Sequence, residues 1–489
     1  MLRRLLTSTA AVILLALTAA PAAHALPARD IAGVALHPWQ LQNHETRDRV
    51  FAGVAATGVR WVRVDMPWSW VEPHGPTLRN GRGDWGGIDP IVQAANRHGL
   101  QLIPIIGFTP RWASDSGELW AFPYSRPFED FFAAALRRYP QIQAWELWNE
   151  PNFERFAKPR PDPAAFVEFL RAARRARDSV GSRAKLISGG LAPGGDIDIV
   201  PWVNEVAMRG GLGLIDGLGV HPYSVLEPDD PRSWMMQLEA LHERLAELGR
   251  PDLPLWLTEY GAPTVPVANG YAPALTEQQQ ADRLRTAFAL ATRYDWIENL
   301  TWYEYRDSCT HLQSDPECNF GLVHTDLSRK PSHDALREVV AGATVKLRPQ
   351  LTLSSRIREA RVPVARARAS ARAGASKRPA SKREAAKRRA RKRAKRLALK
   401  RRTVGRITVT GRLTLPGTAW PNAIITVLLP RRGAPPKSVP VLVKEGYFWA
   451  RFDGRDLRSG TLEARYPGSD AYQPLSAQVQ VASSATSSR

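Results

Sequence analysis

The chain has 489 residues, 68 Lys and Arg against 47 Asp and Glu for a formal net charge of +21, 44% hydrophobic residues and 2 Cys. That length fits roughly two or three domains and that hydrophobic fraction belongs to globular protein, so a lone small module and wholesale disorder are excluded, as is a four-cysteine zinc site. The charge is local: residues 356–402 hold 21 Lys and Arg against 2 Glu, a net +19 that leaves the rest of the chain close to neutral.

At the N-terminus, Arg3 and Arg4 precede an apolar run from Leu5 to Ala20, and Ala23-His24-Ala25 follows. This is the pattern of a cleaved secretory signal spanning 1–25. The run is short for a membrane span of about 20 residues. The mature chain is therefore expected to be secreted or associated with the cell envelope.

Residues 26–344 are periodic. Eight apolar, β-branched-rich runs centre near Val34, Val62, Ile103, Leu147, Ile187, Leu218, Leu257 and Leu300. Helical patterns lie between them. Ile88–His98 and Trp234–Leu248 carry apolar residues at three- and four-residue steps. Asp162-Pro163 opens a helix with proline in its first turn, and Thr276-Glu277-Gln278-Gln279 is a capping-box pattern. Strand–helix alternation repeated eight times predicts an α/β fold of the (β/α)₈, or TIM, barrel type. A doubly wound sheet often has a glycine-rich turn after its first strand; Ala35-Leu36-His37-Pro38-Trp39 is no such turn.

A barrel places its chemistry where the strands end. Those ends are polar and aromatic here: His37 and Trp39, Arg63 and Asp65, Asn149 and Glu150, His221 and Tyr223, Glu259 and Tyr260, Trp302 and Glu304. Glu150, in Trp148-Asn149-Glu150-Pro151, and Glu259, in Thr258-Glu259-Tyr260-Gly261, come from different walls of a cylinder and can face one cleft. Paired carboxylates across such a gap are the machinery of glycoside cleavage. Glu146 and Glu304 are alternative site acids.

The two motifs, in barrel order, resemble those of the clan A retaining glycoside hydrolases. The similarity is greatest to family 5 and family 39, of the cellulase and β-xylosidase types. Strand 3 ends Gly107-Phe108-Thr109-Pro110-Arg111-Trp112, where many family 5 members place a histidine, which is more like family 39. The resemblance implies Glu150 as general acid/base and Glu259 as nucleophile. It implies Asn149 on the sugar 2-hydroxyl, Arg63 holding Glu259 ionised, and His221 and Tyr223 lining the site, with Trp302 as a sugar platform. His37 joins the substrate-binding set by its place at the end of strand 1. Trp39, Trp68, Trp112 and Trp120 are further candidates for stacking on sugar. The expected activity is hydrolysis of an O-glycosidic bond in a polysaccharide or oligosaccharide with retention; transglycosylation uses the same intermediate. A non-catalytic glycan-binding or adhesive envelope protein is the alternative. The chemistry needs no cofactor, and the sequence carries no metal motif.

Cys309 and Cys318 lie in one loop after strand 8, and an exported chain can join them as a disulfide. Residues 345–403 lose their aromatics and read as a basic Ala/Arg/Lys-rich linker. As a polycation it could tether to an anionic cell-envelope polymer or lipid; nucleic acid is not expected as its partner. From 404 to 483, short β-type runs separated by Gly, Pro and Asp predict a small all-β sandwich. Ala464-Arg465-Tyr466-Pro467-Gly468-Ser469-Asp470-Ala471-Tyr472 resembles the end of bacterial immunoglobulin-like repeats, and 484–489 form a tail.

Overall fold

A computed structural model describes residues 26–223, 234–264, 275–309, 315–343, 345–346, 349–363, 401–415, 423–431, 435–444, 446–454, 460–469 and 472–481. The signal segment 1–25, the core of the basic stretch (364–400) and the tail lie outside the described residues. No helix among those described is long and apolar enough to cross a membrane.

Eight parallel strands form one sheet: β1 (Ala32–Leu36), β2 (Trp61–Pro67), β3 (Gln101–Gly107), β4 (Ala144–Asn149), β5 (Lys185–Gly190), β6 (Leu218–Val220), β7 (Leu255–Tyr260) and β8 (Ile297–Trp302). Each run centre named above falls inside its strand. β1 pairs with both β2 and β8, so the sheet curls. It closes between β5 and β6 through the bridges Ile187–Gly217 and Leu191–Val220, with Gly219 N donating to Ser188 Oγ at 2.9 Å. The architecture is the barrel that the period predicts.

Helices α1 (His44–Ala56), α2 (Asp89–Arg97), α3 (Ser125–Arg138), α4 (Pro163–Ser179), α5 (Ile199–Met208), α6 (Trp234–Glu247), α7 (Glu277–Ala291) and α8 (Pro331–Val340) accompany the strands. Their starts follow the sequence signals. Asp162 caps α4 by accepting from Ala164 N and Ala165 N. Thr276 and Gln279 form the reciprocal capping box of α7. On α3, Phe128, Phe131 and Phe132 recur at three- and four-residue spacing and are almost fully buried. Phe131 stacks on Trp68 at 5.0 Å between centroids, and Phe132 meets Trp145 edge-on. Burying each such ring contributes about 1.5–3 kcal/mol, which fixes α3 to the outer wall.

After the barrel come two antiparallel sheets. One is three-stranded, in the order β13 (Tyr447–Gly454), β10 (Arg401–Thr414), β9 (Gln350–Pro363). The other is four-stranded, in the order β12 (Lys437–Val443), β11 (Ala423–Leu429), β14 (Gly460–Tyr466), β15 (Leu475–Val481). The two-sheet arrangement agrees with the expected sandwich, but it begins earlier than 404. β9 lies inside the stretch read as linker and pairs with β10 from Gln350↔Thr414 to Pro363↔Arg401. The arginines of that stretch hid the strand. Where side chains are described, Leu351 and Leu353 of β9 pack against the core between the exposed Thr352 and Ser354, and Ile407, Val409 and Leu413 of β10 are buried.

Candidate active site

The lower interior of the barrel is filled by Trp61, Ile103, Ala144, Ile187 and Trp256. Above this plug lies Arg63 of β2, only 3% exposed. Its Nε donates to Glu146 Oε2 at 2.5 Å, and Nη2 donates to Glu146 Oε1 at 3.2 Å and to Asn149 Oδ1 at 2.8 Å. Nη1 donates to Glu259. Glu146 also accepts from Thr258 Oγ1 at 2.8 Å and from Gly190 N at 3.1 Å. Burial works against its charge, yet Arg63 and His221 hold its carboxyl down at about 2. Glu146 has no exposed surface, so it is a buried brace beneath the site and cannot reach a substrate. Glu304 is equally buried, bonded to Ser308 and 3.2 Å from His37 Nε2. The two alternative acids are thereby set aside.

The exposed pair is Glu150 and Glu259, with 16% and 13% of their side chains accessible. Strict alternation along a strand would not aim them this way. On β4, Glu146 faces inward, so Trp148 should do the same and Asn149 should face out. Instead Trp148 adopts φ +86° and Glu150 φ +41°, and the Trp148 ring packs outward among Phe122, Trp120 and Phe169. Left-handed backbone at non-glycine residues costs roughly 1–3 kcal/mol each and clusters at functional sites. Here it brings Asn149 and Glu150 to the same opening. On β7, Thr258 points inward, and a register shift between Leu257 and Tyr260 re-aims Glu259 into the barrel mouth, as bulges do.

His221 follows β6 and is fully buried. Its Nδ1 lies 2.9 Å from Glu150 Oε1 and 3.7 Å from Glu259 Oε2. Burial opposes its charge, but Glu259, Glu146 and Glu150 together raise its pKa to about 9. The ring packs flat on β5: a Cβ at Gly190 would sit 2.0 Å from His221 Nε2, so only glycine fits. Tyr223 Oη donates to Glu259 Oε2 at 3.1 Å. Burial also pushes Glu259 toward protonation, but His221 and Arg63 outweigh it, and its pKa lies below the usual carboxylate range.

Glu150, His221 and Glu259 place ligand atoms within 4.8 Å of one another, a spacing that could also hold a cation. A metal there would take the imidazole lone pair in place of the proton that the surrounding carboxylates favour.

His37 lies at the rim, stacked on Trp39 at 4.1 Å and 3.3 Å from Tyr303 Oη. Burial lowers its pKa, but Glu304, Asp65 and Glu259 reverse this and leave it raised. Asp65, beside these groups, is pushed up to about 6, chiefly by burial. Trp39 is 56% exposed. Trp68 is buried, Trp112 donates to Glu72 O at 2.8 Å, and Trp120 packs on Trp148.

Trp302 is not a sugar platform. It has no exposed surface, meets Tyr260 edge-on and donates toward Phe320 O at 3.4 Å. The inward side chains of β8 are Asn299 and Thr301, bonded to Ile31 O and to each other, so Trp302 shares the outer face with Leu300. The aromatic that borders the mouth is its neighbour Tyr303, whose Oη lies 3.4 Å from Glu317 Oε2. The alternation of β8 held the signal for that choice. Cys309 and Cys318 are joined as a disulfide, which anchors the Glu317 end of the loop. A separate cleft of about 850 Å³, lined by Arg60, Trp61, Lys185, Trp256 and Glu298, opens at the strand starts, away from the carboxylates.

No family model matches the chain, and no curated protein matches it. Solved structures do. A family 39 glycoside hydrolase from the gut symbiont Bacteroides cellulosilyticus WH2 aligns at 18% identity over 88% of this chain and 81% of that one, with a TM-score of 0.52. A GH39 β-xylosidase from Caulobacter crescentus aligns at 15% identity over 83% of each chain, with a TM-score of 0.50. A GH39 enzyme from Xanthomonas axonopodis pv. citri aligns at 14% identity over 89% of this chain and 94% of that one, also at 0.50. At these identities the likeness is one of fold, and it is the fold that the sequence resemblance implied.

Proposed function

We propose that the barrel hydrolyses O-glycosidic bonds of a polysaccharide or oligosaccharide with retention, using Glu259 as nucleophile and Glu150 as general acid/base. The observation that carries this reading is the placement of two partly exposed carboxylates within 4.8 Å at the closest oxygens. Retaining enzymes hold their carboxyl groups about 5–5.5 Å apart, and inverting enzymes leave about 6.5–9.5 Å for a water.

In the first step a Glu259 oxygen bonds to the anomeric carbon, and the bond from that carbon to the leaving oxygen breaks. Glu150 delivers the proton that the leaving oxygen takes. Arg63 and Tyr223 keep Glu259 ionised and oriented beforehand. Asn149 spends its Oδ1 on Arg63, which leaves its amide hydrogens to donate to a sugar hydroxyl, the 2-hydroxyl under the resemblance. In the second step Glu150 removes a proton from water, the water oxygen bonds to the anomeric carbon, and Glu259 is released. Glu259 is the largest influence raising the pKa of His221. When it becomes a neutral ester, that influence vanishes, and the His221–Glu150 pair turns from proton holder to base. Proton nuclear magnetic resonance of the first sugar released from a soluble β-glycoside tests the stereochemistry. The β-anomer is expected first; initial release of the α-anomer overturns the reading.

His221 also sets a pH dependence. Its folded pKa is raised from 6.5 to about 9. Its contribution to stability is therefore complete below 6.5 and is lost as pH rises through about 9. The proton it shares with Glu150 is lost over the same range. The alkaline limb of kcat/KM should fall near pH 9 and move downward in His221→Asn. An unmoved limb in that variant separates His221 from the proton chemistry. Export through residues 1–25, and tethering of the basic stretch to an anionic envelope polymer or lipid, belong to the same proposal. They are supported by the residue patterns given above.

A further inference from the structure

The sandwich carries an outward face that the barrel chemistry does not use. On β13, Tyr447 and Trp449 are 57% and 62% exposed. They alternate with the buried Phe448, so both rings stand on one side of the sheet, about 7 Å apart along the strand. Paired with them on β10 are Arg412 and Thr410. Arg412 lies 5.5 Å from the Tyr447 ring, and Arg451 lies 5.9 Å from the Trp449 ring. Thr408, opposite Arg451, extends the polar surface. Two neighbouring exposed aromatics have no role in the fold's own core, and such patches mark binding surfaces.

The described part of the face is basic. Among the described residues, neither Arg412 nor Arg451 forms an ion pair, and no described outward side chain of β9, β10 or β13 is a carboxylate. The electron-rich ring faces attract polarised C–H groups, such as those on the flat side of a pyranose. A guanidinium offers paired donors matched to a carboxylate, and the threonine hydroxyls suit sugar hydroxyls. We propose that this face is a second glycan site, which takes an acidic polysaccharide, a uronate-bearing chain, across Tyr447 and Trp449 with Arg412 and Arg451 on its carboxylates. Single-stranded nucleic acid also stacks on aromatics beside cations, and oligothymidylate is therefore a competitor in the test. The site stands apart from the reading of the barrel.

The test is calorimetric titration of the full chain with tetragalacturonate. Salt is held at a moderate level that weakens the long-range attraction of the basic stretch, while stacking and direct guanidinium–carboxylate contacts persist. The wild type should bind, and Tyr447→Ala/Trp449→Ala should weaken binding by roughly tenfold or more. Arg412→Gln/Arg451→Gln should remove the preference for tetragalacturonate over a neutral mannan tetrasaccharide. Both exposed substitutions leave the barrel untouched, so hydrolysis of a soluble aryl glycoside should not change. Equal binding by the wild type and the aromatic double variant overturns the proposal. So does an absence of binding, equal affinity for the neutral tetrasaccharide, or face-dependent binding of oligothymidylate alone. Failure of the glycosidase reading would show separately, as a chain that binds uronate but hydrolyses nothing.

Discussion

Glu259→Gln is expected to lower turnover by roughly 10⁴-fold or more while leaving the fold and substrate binding in place. A glutamine oxygen still accepts from Arg63, but a neutral amide does not attack an anomeric carbon. The variant also removes the strongest influence raising the pKa of His221, so that histidine should titrate closer to its ordinary value. Steady-state rates, circular dichroism and glycan titration check the three parts. Normal hydrolysis by this variant would remove Glu259 from the mechanism. Glu150→Ala differs in kind, because a leaving group that needs no proton should still depart, and only the second step should slow.

Arg63→Met should have the largest effect on stability. The guanidinium is buried and bonds Glu146, Glu259 and Asn149. Its loss leaves Glu146 as a carboxylate with no exposed surface and only His221, 3.9 Å away, as a cation, which costs about 3–5 kcal/mol. The pH dependence identifies the cause. In the wild type Glu146 has its pKa depressed from 4.5 to about 2, so its contribution is present above 4.5 and lost as pH falls through 2. In Arg63→Met the carboxyl takes up its proton at higher pH, and acidification over this window should stop destabilising the chain. Urea denaturation at a series of pH values reads both effects. Arg63→Lys should rescue part of the stability and little of the activity, because one ammonium does not span three partners.

The barrel was legible because its strands are buried on both faces and read as near-continuous apolar runs. The acids were legible because polar residues at the ends of such runs need partners. Side-chain direction was the hard part. Period-two alternation along β8 places Trp302 outside and Tyr303 at the mouth. On β4 and β7 the same rule would have failed, because left-handed backbone at Trp148 and a register shift before Tyr260 override it. Neither is encoded by a glycine or proline at the spot. The brace made by Glu146 and Arg63 also escaped notice: partners 83 residues apart in sequence meet only once the cylinder has closed. β9 was obscured because its arginines give the stretch the composition of a solvated linker.

The seam between β5 and β6 involves the shortest strand of the cylinder. β6 has only three residues, and it meets β5 through two bridged pairs, as few as β3 and β4 match, whereas β2 and β3 match seven. Amide exchange should therefore be fastest along that join. His221 is the next residue after β6, so each opening of the join would swing the imidazole away from Glu150 and break their 2.9 Å contact. Mutations that tighten the join would trade breathing for a longer-lived catalytic alignment.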